Sequence, residues 1–365
     1  MGSISTLTKN RALWLSSFEK CLELIELPVP EARAGSVVVE ALNTAVFPYA
    51  EDIHEGRLPV FNLSLPLVLH PSHIGRVHAV GSDAVLVKPG DLVFFSASIS
   101  SRDDPERDGA LQQYQRVPLE NIFILHEDRL CKQLGYSPAD LHEISFYTIA
   151  AGGLCEAASL QTGETIALGP ATGTFGGITC EMALVLGANV IAIGRSEENL
   201  ASLAKQLGNH ERFSYFVMTG DDEVDAAATR KASPDGRGVE VYNDWASGSL
   251  TGSPYFSAAI RALRPEDRVV LSGAPSGSIA VPYTRVLHQN IKIIGKAMVT
   301  RKGIDLTIKM VNSGVLKLGK RGGSSHKVYR LEEHHAAFQN AKKNSGFRVY
   351  TDIAPNKSKR GCGVF

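Results

Sequence analysis

Residues 164–195 constrain the fold of this chain more than any other segment. An apolar strand pattern at 165–168 leads through a glycine-rich turn at 169–177 into a helix pattern that Gly187 closes. A second apolar strand pattern follows at 189–193. This order predicts a βαβ unit, because parallel strands need a crossover connection. The segment therefore predicts an α/β fold built on a doubly wound parallel sheet.

The glycine turn has the spacing of a dinucleotide-binding loop. Ala171, Gly173 and Gly176 form an Ala/Gly-x-Gly-x-x-Gly pattern directly between the strand and the helix. Small residues there allow the backbone to approach a pyrophosphate. The alternative interpretation is a tight connection without a ligand. The predicted cofactor-binding residues of the turn are Ala171, Thr172, Gly173, Thr174, Gly176 and Gly177, with the two threonine hydroxyls donating to phosphate.

The residue after the second strand indicates which dinucleotide binds. An acidic residue there would accept hydrogen bonds from ribose hydroxyls, but this chain has Arg195 followed by Ser196. A guanidinium suits a 2′-phosphate, so the sequence favours NADPH, with Lys205 as a further candidate contact. The alternative is that Arg195 is a solvated surface charge.

Composition limits the classes of partner. The chain has 38 basic and 38 acidic residues and a sequence pI near 7.2, so it carries no basic footprint for nucleic acid or an anionic membrane surface. We expect a small-molecule substrate, no nucleic acid and no membrane. No apolar run reaches the roughly 20 residues of a membrane span, and the start lacks a signal-peptide core, so we expect a cytoplasmic protein.

The cysteines and the two ends give weaker signals. Five scattered cysteines without a C-x-x-C pair predict reduced, unpaired thiols. Gly2 fits a myristoylation pattern and Cys362 a prenylation pattern only superficially, so polar termini are the alternative interpretation.

The rest of the chain separates into strand-rich and alternating regions. Residues 11–93 show short strands punctuated by proline and glycine, whereas helix and strand patterns alternate over about 140–300. The alternation predicts a six-stranded doubly wound sheet. The tail from Gly303 carries further helix and strand patterns, and we expect it to pack on the N-terminal lobe.

The order of these elements resembles the medium-chain dehydrogenase/reductase superfamily. The resemblance rests on Gly75-Arg-Val, Gly81, Pro89-Gly90-Asp91, the turn at 171–177 and the strand near Ile291. It implies a GroES-like β-barrel catalytic domain plus a Rossmann domain, with a substrate cleft between them. The implied segments are 1–138 for the N-terminal part of the catalytic domain, 139–300 for the Rossmann domain and 301–365 for the C-terminal part.

The metal positions of the zinc branch of this superfamily hold other residues here. Phe47, Pro71 and about Ile144 stand where the resemblance would place the zinc ligands, and none of the three can bind a metal. The cysteines of a structural zinc lobe are also missing between Ser96 and Arg116. The resemblance therefore points to the zinc-independent quinone and enoyl reductase branch, and we predict no metal. An improvised site from His70 and His73 with Glu51 or Asp52 is the alternative.

Without a Lewis acid to hold an alkoxide, reduction of a conjugated double bond or a quinone is easier to rationalise than alcohol oxidation. We therefore expect an NADPH-dependent oxidoreductase that transfers hydride to an enone, enoyl or quinone-like small molecule. The alternatives are a carbonyl reductase or alcohol dehydrogenase of the same superfamily, and a non-catalytic NADPH-binding protein.

Four side chains are candidates for proton transfer. Tyr49 and Tyr147 could donate a proton or a hydrogen bond to a developing enolate, and Asp52 and His54 could relay one. Packing is the alternative for each tyrosine, and solvation at the surface for Asp52 and His54.

The resemblance also implies the residues that line the nicotinamide and a possible assembly. Backbone at Ser272, Gly273 and Met298 would lie beside the nicotinamide. The last sheet strand, at 291–299, is an edge on which a homodimer could form. The substrate loops do not encode a ligand.

Overall fold

A computed structural model describes residues 9–58, 63–69, 72–96, 109–248 and 250–356. Gly2, His70, Pro71 and Cys362, on which sequence predictions fall, lie outside these ranges. The strands are β1 (Asn10–Leu15), β2 (Glu23–Leu27), β3 (Ser36–Ala45), β4 (Leu67–Val68), β5 (Ser72–Val80), β6 (Leu92–Ser96), β7 (Tyr114–Pro118), β8 (Ile122–Ile124), β9 (Thr165–Gly169), β10 (Asn189–Gly194), β11 (Phe213–Val217), β12 (Val239–Asp244), β13 (Leu263–Leu271), β14 (Lys292–Gly295), β15 (Ser325–Arg330) and β16 (Val349–Ala354).

The α-helices are α1 (Ala50–His54), α2 (Pro138–His142), α3 (Ile144–Ala151), α4 (Thr174–Val185), α5 (Glu197–Gln206), α6 (Asp222–Ala232), α7 (Phe256–Ala262), α8 (Tyr283–His288), α9 (Arg301–Ser313), α10 (Gly319–Gly322) and α11 (His334–Asn344). Within the described ranges, no helix is both long and apolar enough to cross a membrane.

The elements divide into two compact units. The first contains the described residues of 1–145, 317–345 and 349–365, and the second contains 146–316 and 346–348. Helix α9 therefore belongs to the second unit, and three residues near the C-terminus return to it. The segment boundaries at 138/139 and 300/301 stay a prediction.

The second unit is built on one parallel sheet. Its strand order is β11-β10-β9-β12-β13-β14, and every neighbouring pair is parallel. Strand β9 is buried along its whole length, as expected for a strand covered by helices on both faces. Numbered from β9, the order is 3-2-1-4-5-6, that of the dinucleotide-binding Rossmann fold. The predicted doubly wound sheet is confirmed.

The first unit contains the antiparallel and mixed sheets of the predicted catalytic domain. One sheet has the order β2-β1-β4, and a larger one the order β15-β16-β3-β5-β6-β8 with β7 paired to β3. Strand β3 is ten residues long and pairs with three other strands, so it forms the centre of this unit. Its valines, with residues of β5 and β6, form an apolar core.

Three details differ from the sequence prediction. The residue pattern over 137–160, with Pro138 near its start, predicts a helical region, which the structure divides into α2, α3 and a π-helical segment at Gly152–Ala157. The short helix α1 interrupts the strand-rich region. The pattern over 258–263 predicts a short helix, but helix α7 ends at Ala262, and Leu263 already belongs to β13. The four described cysteines are unpaired, which agrees with the predicted reduced thiols.

Candidate functional site: a nucleotide cavity at the switch point of the sheet

The glycine turn lies where the strand order of the parallel sheet reverses. Strands β10 and β12 flank β9 on opposite sides, and in open α/β sheets ligands bind at the carboxyl ends of the strands at such a point. Gly173 is the N-cap of the twelve-residue helix α4, and no side chain caps this end. The first backbone N–H groups of a helix are suited to bind an anion.

Each glycine of the turn meets a different environment. A Cβ atom on Gly176 would lie 2.3 Å from the Pro170 carbonyl oxygen, and one on Gly177 would lie 2.6 Å from Cγ of Phe347. No atom of the described residues lies within 4 Å of the corresponding position on Gly173. The last two glycines are therefore required by packing, whereas the first leaves open space that a ligand could use.

The threonines of the turn also differ from each other. Thr172 lines the cavity described below, whereas Thr174 is buried and its hydroxyl donates to the Gly346 carbonyl oxygen at 3.2 Å. Ala171 is fully buried, and its N–H donates to the Ile193 carbonyl oxygen at 3.0 Å. Thr172 is thus the threonine placed to contact a ligand.

A cavity of about 380 Å³ opens beside the turn. The sequence-predicted residues Thr172, Arg195 and Ser196 all line it, together with Pro170. Arg195 directly follows β10, and Ser196 caps α5 by accepting a hydrogen bond from the Asn199 backbone N–H at 3.3 Å. The structure therefore brings the turn and the predicted phosphate-binding pair to one cavity.

Lys205 does not belong to this cavity. It lies in the last turn of α5, nine residues beyond Ser196, which corresponds to about 13 Å along the helix axis. Its predicted contribution to a 2′-phosphate site is therefore not supported.

The residues of the other wall of the cavity were not predicted from the sequence. Asn199 lies in the first turn of α5, while Ser247, Leu250 and Tyr255 follow the end of β12. Burial raises the pKa of the Tyr255 phenol, and the nearby Arg195 guanidinium opposes this rise. The only available signal was the position of these residues after a strand, because periodicity does not show which strands are neighbours.

The residues predicted beside the nicotinamide lie at the ends of β13 and β14. The N–H groups of Ser272 and Gly273 both donate to the Asp244 carbonyl oxygen, at 3.0 and 2.9 Å. A Cβ atom on Gly273 would lie 2.4 Å from the Ala246 carbonyl oxygen. Met298 is 40% exposed and has a φ of 59°, so its backbone adopts the left-handed conformation. Their contacts with a nicotinamide stay a prediction.

Tyr147 is almost fully buried on α3. Its hydroxyl donates a short hydrogen bond to the Glu181 carboxylate, which also accepts from Nη2 of Arg348 at 2.6 Å. A phenol bound to a half-buried, ion-paired carboxylate is held in place, and this arrangement favours the packing interpretation over proton donation.

Tyr49, Asp52 and His54 lie on or next to α1 in the first unit. Tyr49 is half-buried, its ring stacks on Phe47 at 5.6 Å, and burial raises the pKa of its phenol. Asp52 is partly exposed and forms an ion pair with Arg57. The expectation that His54 is solvated is wrong, because its ring is buried 4.7 Å from that of Phe338.

His73, a residue of the improvised metal site considered as an alternative, lies in surroundings that do not suit a metal ligand. His73 is not in an exposed turn but is fully buried in β5, with its ring 5.1 Å from that of Phe95. Burial lowers its pKa to about 4, so the imidazole is neutral. Ile144 is fully buried and offers only hydrocarbon, and Phe47 offers an aromatic ring.

Comparisons with known proteins agree with this fold. Residues 175–313 match the family model of the zinc-binding dehydrogenases. A Bacillus subtilis protein named as an NADP-dependent oxidoreductase, YfmJ, is 28% identical over 68% of this chain and 65% of its own length, just under two thirds. Human quinone oxidoreductase is 25% identical over 74% of each chain. A zinc-binding dehydrogenase structure from Sinorhizobium meliloti 1021, bound to NADP, superimposes with a TM-score of 0.75 at 17% identity, covering 95% of this chain and 99% of that one.

The fold and the relatives are those of nicotinamide-dependent oxidoreductases. Within that class, the chain is similar to members of the medium-chain dehydrogenase/reductase superfamily, and residues 175–313 of its second unit match the zinc-binding dehydrogenase model. The matched range begins at Phe175 and so contains none of the positions 47, 71 and 144. The name of the family model therefore gives no information about a catalytic metal in this chain.

Proposed function

We propose that this chain is an NADPH-dependent reductase that transfers hydride to the activated double bond of a small enone, enoyl or quinone-like molecule without a catalytic metal. The observation that carries the proposal is the cavity at the switch point, where Arg195 and Thr172 face the same space. The relatives named for NADP and for quinone reduction support it.

The residues around the cavity fit the adenosine end of this cofactor. Arg195 and Ser196 would hold the 2′-phosphate, and the uncapped N-terminus of α4 would hold the pyrophosphate. The Tyr255 ring and Leu250 offer apolar surface to the adenosine. No acidic residue lines the cavity to repel the added phosphate among the residues described.

When bound, NADPH supplies a hydride to the β-carbon of the acceptor. The electron pair of the double bond moves to the acceptor oxygen, and a proton is added at the α-carbon. The Tyr49 phenol is protonated at neutral pH and burial raises its pKa further, which suits it to donate a hydrogen bond to the developing enolate, and it is our proposed donor. Phe47 and Ile144 at the metal positions support chemistry without a Lewis acid.

Deuterium transfer tests the reaction directly. The enzyme is incubated with NADPH deuterated at the transferred position and with a panel of enones, enoyl thioesters, quinones and simple ketones. We expect consumption of enones or quinones and, for enones, one deuterium at the β-carbon of the saturated product. Reduction of simple ketones alone would favour a carbonyl reductase. Tight NADPH binding without reduction of any acceptor would favour a non-catalytic binding protein.

A further inference from the structure

The first unit contains a buried cluster of one histidine and three carboxylates that the proposed reaction does not use. His326 lies on β15, Asp352 on β16 and Asp140 on α2, while Glu143 directly follows α2. None of the four lines the nucleotide cavity. Glu143 and Asp352 are almost completely buried, and the side chains of His326 and Asp140 are 11% and 15% exposed.

We propose that Asp140, Glu143 and His326 form a binding site for a divalent metal ion of the zinc type. The three residues offer one imidazole nitrogen and two carboxylate oxygens, all within 4.8 Å of one another. Imidazole and carboxylate are ligands that zinc accepts, with a water or a second carboxylate oxygen completing the shell.

The distances suit a small metal ion. Nε2 of His326 lies 2.7 Å from Oε1 of Glu143 and 3.8 Å from Oδ1 of Asp140. Ligand atoms of a tetrahedral zinc site, with bonds of about 2.0–2.1 Å, are about 3.4 Å apart. Both of these separations therefore need to change by less than about 1 Å, which side-chain rotation can supply, and the carboxylates of Asp140 and Glu143 lie within 4.8 Å of each other.

A buried oxygen without a partner lies in the cluster. Oε2 of Glu143 has no hydrogen-bond partner among the described residues, although the Ser324 hydroxyl is near enough to lower the pKa of this carboxyl group. The Ser324 Oγ atom is itself buried and unpartnered. Buried polar atoms rarely stay unsatisfied, and a metal ion would satisfy the carboxylate oxygen.

The surroundings hold the ligands as an outer shell does in known metal sites. Nδ1 of His326 donates to Oδ2 of Asp352 at 2.7 Å, and Asn43 donates to the other oxygen of Asp352 at 2.8 Å. A metal-ligating histidine almost always donates its second nitrogen in this way. Gly319 N–H donates to Oε1 of Glu143 at 3.1 Å.

The second ligating carboxylate is also held. Both the backbone N–H and the hydroxyl of Ser137 donate to Oδ2 of Asp140, at 2.8 and 2.7 Å. This leaves Oδ1 as the oxygen of Asp140 that lies toward His326.

The charge of the cluster favours a cation. Over the described residues, His326 is the only basic side chain that pairs with these three carboxylates. One imidazolium therefore faces three carboxyl groups. From α10, Lys320 is exposed and Arg321 donates to the Leu134 carbonyl oxygen at 3.5 Å, so neither neutralises the cluster. The Tyr350 ring covers the imidazole at 5.2 Å.

The metal-free form binds a proton where the metal would bind. Both ring nitrogens of His326 lie 2.7 Å from carboxylate oxygens, one of Asp352 and one of Glu143, so in the metal-free form Nε2 donates a proton to Glu143. Zinc must displace this proton, so binding should release a proton and strengthen as the pH rises.

Calorimetric titration of the full chain with zinc tests the site. The protein is first dialysed against a chelator and then titrated in two buffers of different ionisation enthalpy. At pH 7.5 we expect one saturable zinc equivalent and release of about one proton per zinc. X-ray absorption of the complex should show a nitrogen and oxygen shell without sulfur, because no cysteine belongs to the cluster.

The variants identify the ligands. His326→Gln and Glu143→Gln should weaken zinc binding at least a hundredfold, and Asp352→Asn tenfold or more through the outer shell. His335→Gln, at an exposed histidine outside the cluster, is the matched control and should bind like wild type. If the first two variants fail to fold, Asp140→Asn, whose contact with His326 is the longest, must still weaken binding.

Any one of three results would overturn the proposed metal site. These are absence of saturable zinc binding by the wild type, a sulfur ligand in the absorption spectrum, or unchanged binding by a folded Asp140→Asn or His326→Gln variant. Any of them would leave the cluster as a purely internal ion network.

Discussion

Gly173 and Gly176 show how neighbouring glycines of one motif have separable roles. At Gly176 a side chain would collide with the backbone carbonyl of Pro170, whereas at Gly173 it would enter open space. Neither residue has a positive φ. Gly176 is therefore constrained by packing within the protein, whereas Gly173 leaves space for the proposed cofactor.

This difference predicts that two alanine substitutions affect different properties, one the stability of the fold and the other the binding of NADPH. Gly176→Ala should lower the free energy of unfolding by about 1–3 kcal/mol, as overpacking does. Gly173→Ala should change it by less than about 1 kcal/mol but weaken NADPH binding, because the new methyl group occupies the space left for the pyrophosphate. Chemical denaturation and fluorescence titration with NADPH measure the two effects. Equal loss of stability in both variants would contradict this account.

The sequence motif identified this turn but not the rest of the cavity wall. Arg195 was predictable because it follows β10 in a βαβ unit. Tyr255 and Leu250 were not, because they follow β12, and only the three-dimensional strand order makes β12 a neighbour of β9. The solvated role expected for His54 was wrong for a similar reason, since contact with Phe338 depends on tertiary packing.

At the scale of elements, long-range pairing connects segments far apart in the chain. His326 on β15 joins the end of α2 to β16 through Glu143 and Asp352. Strand β11 is an edge strand of the parallel sheet and only half-buried, and Ser214 interrupts its apolar residues, so no residue range was predicted for it from the sequence. Strands such as β9, buried on both faces, were predicted correctly.

The His326 cluster predicts a pH dependence of stability in the metal-free protein. The pKa of His326 is about 10 in the folded state and about 6.5 in the unfolded chain. The stabilisation is therefore complete below about pH 6.5 and is lost as the pH rises through 10. Relative to His326→Gln, the wild type should lose about 2 kcal/mol of unfolding free energy between pH 6.5 and 10. This is less than the full linkage value, because burial opposes ionisation of Glu143 and Asp352.

Denaturation curves of both proteins in the presence of a chelator, recorded across this range, measure the effect. The groups facing the imidazole are Asp140, Glu143, Asp352 and the Tyr350 ring. Parallel pH profiles for the two proteins would show that His326 is not protonated in the folded state.

At the scale of the whole molecule, two proposals about metal ions concern different residues. The reaction is proposed to need no metal, because Phe47 and Ile144 cannot bind one, while zinc is proposed to bind at Asp140, Glu143 and His326. Zinc content alone cannot separate these statements, whereas activity and stability measured together can.

Removal of zinc should therefore affect stability but not turnover. After dialysis against a chelator, we expect a lower melting temperature and an unchanged rate of NADPH oxidation with an enone or quinone at 25 °C. Added zinc should restore the melting temperature by binding to the folded state. Loss of turnover on chelation, with recovery on addition of zinc, would contradict the proposed metal-independent reaction.

The central claim is that Arg195 selects NADPH, and the dissociation constants of NADPH and NADH for Arg195→Asp test it most directly. Loss of a charge-assisted contact corresponds to about 1.5–3 kcal/mol, so NADPH binding should weaken about 10- to 150-fold while NADH binding changes little. Lys205→Ala, at the far end of the same helix, is the matched control and should leave both constants unchanged. An unchanged ratio of the two constants in Arg195→Asp would contradict the account.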